Sequence, residues 1–196
     1  MVNWLEPIHL EGNVVRLVPL TLEYRNALLS AATDGKLWEL WYTSVPSAET
    51  IDSYIETAIQ QNKNKKSLAF VVIHKATNTI VGSTRYCNID IENRRLEIGY
   101  TWYAKTFQKT GVNAECKYLL LKNAFEEYKA IAVELRTHFY NHASRQAIAK
   151  LGAKQDGILR NHKIYKDGER RDTVVFSIID SEWATVKKSL EYRMRK

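Results

Sequence analysis

Three strand-length runs follow one another with almost nothing between them. Residues 68–75, 79–89 and 94–103 are rich in β-branched and aromatic side chains, and only Thr77-Asn78 and the polar turn from Asp90 to Asn93 separate them. A parallel crossover needs about a dozen residues, so the three runs must fold back on one another as an antiparallel meander. This excludes a doubly wound parallel sheet. A short strand, 14–19, precedes the meander and is ended by Pro19. Helical segments are expected at 22–32 and 47–62. In the second, Ser47 is a candidate cap, Glu49 and Thr50 lie in the first turn, and Ile51, Tyr54, Ile55, Ala58 and Ile59 form one apolar stripe.

Beyond the meander, Ala114, Tyr118, Leu121, Phe125 and Tyr128 recur at helical spacing and predict a long helix over 112–128. A strand at Ile131 to His138 and a short helix at 143–151, stopped by Gly152, come next. Strands at 153–166 and 170–180 are joined by Lys166-Asp167-Gly168-Glu169, where Asp-Gly is a hairpin signal. A basic helix over 181–194 closes the chain. The expected architecture is α/β: one domain over residues 1–196, with a core at about 14–180 and a mixed, mostly antiparallel sheet flanked by helices.

With 45% apolar and 26% charged residues the 196-residue chain is globular in composition, and it is large enough to fold without disulfide or metal staples. Cys87 and Cys116 form no Cys-x-x-Cys and no zinc-ligand spacing, so no metal is expected and both read as core thiols of a reducing compartment. The N-terminal Met1 to Pro7 lacks the pattern of a signal peptide, and no apolar run approaches the roughly 20 residues of a membrane helix. The expectation is a cytoplasmic protein with no membrane partner. Lys and Arg number 29 against 22 Asp and Glu, a net charge of +7 that suits an anionic partner, either nucleic acid or a phosphate-rich small molecule.

The most informative stretch is Leu96 to Glu115. Alternation puts Leu96, Ile98, Tyr100 and Trp102 on one face and Glu97, Gly99, Thr101 and Tyr103 on the other, so one face can be core and the other can line a cleft. A turn containing Gln108 to Gly111 then feeds the long helix. Free backbone N–H groups at such a start suit a phosphate or pyrophosphate, and Gly111 lets the backbone approach closely. Upstream, Leu37 to Pro46 holds Trp38, Trp41 and Tyr42; it reads either as a plug on the core or as an aromatic wall of a substrate cleft.

Four blocks together resemble the GNAT superfamily of acyl-CoA-dependent N-acyltransferases, and most closely its branch that acetylates the N-terminal amine of ribosomal proteins. They are Val14 to Leu20; Gln108-Lys109-Thr110-Gly111-Val112-Asn113; Asn141 to Ala153; and Gly157-Ile158-Leu159-Arg160 followed by Arg170 to Ser177. Two positions depart from the family pattern: Asn113 replaces a second small residue, and Lys109 replaces a frequent glycine. The resemblance implies acetyl-CoA as donor, with coenzyme A as product. It implies pyrophosphate held by the amides of Lys109, Thr110, Gly111, Val112, Asn113 and Ala114, with Gln108 in the same motif. It implies a pantetheine arm along Trp102, Tyr103 and Ala104. It also implies a central pair of strands, 97–103 and 131–138, that splay apart around the thioester.

Acyl transfer from a thioester to an amine requires a neutral amine, a stabilised oxyanion and a protonated leaving thiol. Glu97, opposite the core residues of its strand, is the candidate base; the alternative is an ion-paired or solvated glutamate. The resemblance also points to a glutamate on this strand. It gives Asn141 a pantetheine contact, compatible with a helix cap, and Ser144 the role of donor to the departing thiolate, against a simple capping or solvated serine. The tyrosine that many family members use one turn later is Ile148 here. Arg145 reads as a phosphate contact or a solvated side chain. Trp38, Trp41, Tyr42 and Arg160 are placed at the acceptor opening; Arg171 reads either as a further candidate there or, preferred, as half of a buried structural pair with Asp172. His138 and His142 bracket Asn141 and read as polar surface residues, the alternative for either being an edge of the cleft. No Gly-x-Ser-x-Gly elbow supports a serine nucleophile.

The acceptor expected is an amine, either a protein N-terminus or a small molecule, and a homodimer is a family expectation. The rivals are a degenerate acyl-CoA-binding protein, suggested by Asn113 and Ile148, and a nucleic-acid-associated protein. The second would use Lys63, Lys65 and Lys66 with the tail residues Lys187, Lys188, Arg193, Arg195 and Lys196. No helix-turn-helix, zinc-finger or aromatic RNA-binding pattern supports specific recognition.

Overall fold

The computed structural model describes residue 4 and residues 6–165 and 167–195. The reading of the extreme N-terminus, Lys166 of the last hairpin and Lys196 of the tail lie outside the described residues. Along the chain run β1 (Leu10–Glu11), β2 (Val15–Pro19), α1 (Arg25–Thr33), α2 (Ile51–Lys63), β3 (Ser67–His74), β4 (Thr79–Asp90) and β5 (Arg95–Tyr103). These are followed by α3 (Gly111–Lys122), β6 (Ala132–His138), α4 (His142–Lys150), β7 (Lys154–Ile164), β8 (Arg170–Ile179) and α5 (Asp180–Met194). The eight strands form one sheet in the order β1-β2-β3-β4-β5-β6-β8-β7. The expected mixed α/β architecture is the one observed. The unforeseen β1 is two residues long, too short to show a period. α2 begins at Ile51 with Thr50 as its N-cap, one turn later than the Ser47 start expected, because Ser47 and Thr50 bond each other in the preceding turn. The long helix is α-helical only to Lys122; Asn123–Glu127 widen into a π segment, and the register change brings Phe125 and Tyr128 both into the core.

All neighbouring strands are antiparallel except β5 and β6, which run parallel. Their ladder is short: only Arg95, Leu96 and Glu97 pair with Ala132, Val133 and Glu134. Beyond Glu97 the strands diverge, giving the splayed central pair. Because β5 and β6 point the same way, the helices that follow them, α3 and α4, both start at the open end of the gap.

A β-bulge corrects the face assignment of β5. Arg85 lies opposite Gly99 but Ser83 lies opposite Trp102, and Tyr100 takes a left-handed φ of 51°. The extra residue reverses the alternation. Tyr100 and Trp102 therefore face the side of α1 and α2, where the Trp102 indole donates to the Tyr54 hydroxyl (3.2 Å). Thr101 and Tyr103 instead share the α3 side with Leu96 and Ile98. Each face of the sheet carries its own core. One holds Leu17, Phe70, Tyr86, Leu96, Leu120, Leu135 and Trp183. The other holds Leu28, Ile51, Ile55, Val71 and Trp102, and there Trp38 packs at the margin instead of lining a cleft.

Two charged residues of α3 lie inside the α3-side core. The Glu115 carboxylate accepts from the amides of Asn13 (2.8 Å), Val14 (2.6 Å) and Val15 (2.7 Å), tying the start of β2 to the helix. Lys117 is buried, donates to Thr101 Oγ1 (2.5 Å), and is pulled down to about 8 by burial. Thr101 is itself hydrogen-bonded to Thr84 (2.7 Å). Between about 8 and the ordinary 10.5, the unfolded chain holds a proton that the folded chain lacks. Stability therefore rises with pH across that window, and below it the full penalty, about 3 kcal/mol, applies. Lys117→Met is expected to raise stability at pH 7 by up to that amount and to flatten the rise; urea midpoints at pH 7 and pH 10 measure both. A lower midpoint at pH 7 would mean that the bond to Thr101 outweighs the desolvation.

Candidate active site

At the vertex of the gap, Glu97 sits in the last paired position of β5, opposite Glu134 of β6. It projects to the α1–α2 side, as expected for a residue opposite Leu96 and Ile98. Asn88 Nδ2 donates to its carboxylate (2.7 Å), and Arg136 lies 3.5 Å away. Arg136 is bonded more closely to Glu134 (2.6 Å), which also accepts from Arg95 (2.5 Å). Burial raises the pKa of Glu97, opposed by the Asn88 hydrogen bond and the Arg136 charge. A cavity of about 150 Å³ opens onto this carboxylate. The site thus has a carboxylate made more basic by burial and held by a donor, beside a cavity that Asn88, Arg95, Glu134 and Arg136 also line. Sequence reading found Glu97 but missed Asn88, which reaches it from a second bulge, where Asn88 takes a φ of 48°. It also missed Arg136, which becomes a neighbour only through the parallel ladder.

The turn before α3 presents the open start of a helix. Gln108 is used internally, its Nε2 donating to the Tyr103 carbonyl (3.0 Å). Thr110 is the N-cap; its hydroxyl donates to the Phe107 carbonyl (2.7 Å) and accepts from the Val112 amide (3.3 Å). The amides of Gly111 and Asn113 belong to the first helical turn, which has no intrahelical acceptors, and they carry the positive end of the helix dipole; Ala114, also expected in the cradle, is the first residue whose amide has an acceptor, the carbonyl of the N-cap Thr110. A side chain on Gly111 would meet no protein atom within 4 Å, so the approach to these amides is open. Lys109 adopts a φ of 61°, which accounts for the glycine frequent in relatives and costs a lysine roughly 1–2 kcal/mol. Val112 is buried, while Asn113 and Ala114 are half-buried beside the opening.

Of the predicted pantetheine residues, Trp102, Tyr103 and Ala104 are all buried, and the Ala104 amide donates to Val81 (2.8 Å). The edge of β5 without a β6 partner starts earlier, at Ile98. At the start of α4, Asn141 caps through Oδ1, accepting from the Ser144 amide (3.0 Å). This uses one atom of the amide and leaves Nδ2. Ser144 is half-buried in the first turn. Arg145 folds back over the Phe139 ring (5.0 Å) and donates to the Phe139 carbonyl (3.2 Å).

The far end of the gap is aromatic. Trp41 is 57% exposed and meets His138 edge-on at 4.8 Å and Tyr42 at 5.5 Å. Tyr165 stacks on His138 (6.1 Å, 10°) and Tyr140 lies 6.1 Å from Trp41. His138 is therefore no surface histidine. The loop carrying Trp41 covers it, and only 3% of it is exposed. Its Nδ1 accepts from the Tyr140 amide (3.0 Å), which puts the proton of a neutral ring on Nε2. Burial and then Arg171 lower its pKa, keeping it neutral. The expected Arg171–Asp172 pair does not form, because neighbours in a strand project to opposite faces. Asp172 is bonded instead by Arg160 (2.5 Å) and the Asn161 amide (2.7 Å), and the Arg160 side chain is otherwise in solvent. The structure thus brings Glu97, the α3 and α4 starts and the Trp41–Tyr42 wall around one gap, and leaves Trp38 and Arg160 out of it.

A mixed sheet splayed at its single parallel pair, with a helix N-terminus at its mouth and a carboxylate at its vertex, defines an acyl-CoA-dependent N-acyltransferase fold. Residues 15–154 match the acetyltransferase (GNAT) domain, and the chain belongs to that family. It is 27% identical over 147 residues (73% of this chain, 78% of the relative) to YdaF of Bacillus subtilis (strain 168), whose provisional name is ribosomal N-acetyltransferase. A GCN5-related N-acetyltransferase from Brucella melitensis superposes with a TM-score of 0.86 at 27% identity, covering 96% of this chain and 86% of that one. The microcin C7 self-immunity acetyltransferase MccE, solved in complex with acetyl-CoA and AMP, shares the fold at 20% identity, with a TM-score of 0.73 covering 86% of this chain and 93% of that one. The protein is an acetyl-CoA-dependent acetyltransferase. Among the described residues, no helix is long and apolar enough to cross a membrane, and no cluster of His, Cys, Asp and Glu could hold a metal ion.

Proposed function

We propose that the chain transfers an acetyl group directly to a primary amine, with Glu97 accepting the amine's proton and Ser144 donating one to the departing thiolate. The observation that carries this reading is the position of Glu97 at the vertex of the gap, with its basicity raised by burial and its carboxylate held by Asn88. The donor, acetyl-CoA, supplies an acetyl group activated as a thioester. The residues present fit it. The free amides of Gly111 and Asn113 would take the pyrophosphate, the space over Gly111 would admit it, and the unpaired edge of β5 from Ile98 would take the pantetheine amides. The cavity before Glu97 has room for water molecules, so the carboxylate can reach an amine directly or through a relay. Both cysteines are buried with their pKa raised by burial, which favours direct transfer over a covalent enzyme intermediate. Acceptance of ribosomal-protein N-termini is supported only by the name of YdaF.

The test is thiol release from acetyl-CoA over a panel of primary amines. Acetylation of at least one is expected, and none at millimolar donor would overturn the reading. Gly111→Ala separates cradle from fold. Its methyl meets no protein atom, and alanine is the better helix former. The melting temperature should hold or rise while acetyl-CoA binding, followed by calorimetry, weakens about tenfold, which is about 1.4 kcal/mol.

A further inference from the structure

Two buried donors at the mouth of the gap have no hydrogen-bond partner: Tyr165 Oη and Arg171 Nε. Both adjoin His138. Tyr165 stacks on its ring, and Arg171 is close enough to depress its pKa. Among the described residues Arg171 makes no ion pair, since Arg160 has taken Asp172. A guanidinium stays charged, and its planar fork matches a carboxylate or phosphate. Beside these donors, Trp41 and Tyr140 are 57% and 60% exposed, with much of their ring surface open to a ligand. An aromatic enclosure often signals an ammonium ligand. Here Arg171 would repel one, and the anionic Glu97 lies at the opposite end of the groove. The groove therefore has charge at both ends, the Glu97 carboxylate at the vertex with Arg136 held beside it by Glu134, and an unpaired guanidinium at the mouth, with neutral His138 between.

The length of the groove follows from the register. Glu97 is level with Glu134, and His138 lies four residues on, about 13 Å along β6. His138 is level with Thr173, and Arg171 is two residues further out, about 7 Å. With the two side chains reaching toward each other, the groups they bind stand on the order of 10 Å apart, the span of about three extended residues.

Resting on the acetyl-transfer reading above, we infer that the acceptor is a small zwitterion: a primary amine directed to Glu97, an anionic group about 10 Å away on Arg171 and Tyr165, and a flat ring lying on Trp41 and Tyr140. A short peptide with a free C-terminal carboxylate and an aromatic residue has this form. A polyamine, or the N-terminus of a long protein chain, does not.

The experiment compares kcat/KM for the tripeptide Ala-Ala-Trp, its C-terminal amide, 6-aminohexyl phosphate, spermidine and an amidated 20-residue peptide. The free acid is expected to exceed its amide at least tenfold, and that ratio is expected to collapse in Arg171→Gln and to recover in part in Arg171→Lys. Preference for the aminohexyl phosphate over the tripeptide acid would identify the anion as phosphate. Equal use of acid and amide, preference for spermidine or for the long peptide, or a ratio that survives Arg171→Gln in a folded variant, would overturn the inference while leaving amine acetylation standing. Turnover of none of these, with acetylation of other amines, would overturn the inference alone; failure on every amine would overturn both readings.

Discussion

Glu97→Gln is expected to lower kcat/KM by about 10²- to 10⁴-fold, the usual worth of a positioned general base, while acetyl-CoA affinity stays within about twofold. Glutamine keeps the size of the side chain and can still meet Asn88, so the gap should keep its shape. The pH profile gives a second reading. A base must be ionised to work, so activity falls as pH drops through the pKa of Glu97. That pKa is raised by burial, so the acid limb should lie above the ordinary carboxylate range. Removing the opposing hydrogen bond in Asn88→Leu should move the limb further up, and in Glu97→Gln the limb should vanish. Unchanged turnover in Glu97→Gln would remove Glu97 from the proton-transfer role.

Glu115→Ala is expected to cost roughly 4 kcal/mol, measured by urea denaturation, because three amides at hydrogen-bond distances of 2.6 to 2.8 Å lose a charged acceptor at once. Gly12 belongs to the same device: a β-carbon there would overlap the Glu115 carboxyl group, which is pinned and has no freedom to swing aside. Gly12→Ala should therefore destabilise as well, and in the Glu115→Ala background its cost should fall, since the overlapping atoms are gone. A loss below about 1 kcal/mol for Glu115→Ala would mean that water satisfies the three amides equally well.

Most strands and helices were legible from the chain because their apolar periods are long and their connections short, so that even the antiparallel meander followed from spacing alone. The bulge at Tyr100 was not legible. A left-handed residue is usually announced by glycine, asparagine or aspartate, and a tyrosine there reads as ordinary alternation. The face of Glu97 was legible because it lies before the bulge; those of Trp102 and Tyr103, beyond it, were inverted. Arg171 and Asp172 were misread because adjacency in sequence means opposite faces in a strand. His138 was misread because what buries it, the loop around Trp41, comes from about a hundred residues away in the chain. The partners of a site residue depend on register, and register is set by bulges and long-range pairing.

The parallel ladder of three residue pairs has a mechanical meaning as well. Two half-sheets meet along a seam that is stitched only at its lower end, so the seam itself offers little resistance to opening. What fixes its width is the layer behind it. α3 packs on β1 and β2 of one half and on α5, which follows β8 of the other, and Phe125 at the end of the helix stacks on Trp183 of α5 (5.2 Å). The angle of the active-site gap is therefore set by core side chains that never touch a ligand. Enlarging or trimming Phe125 or Trp183 acts on catalysis as a change of jaw angle, transmitted through a rigid helix, with every reacting group left in place.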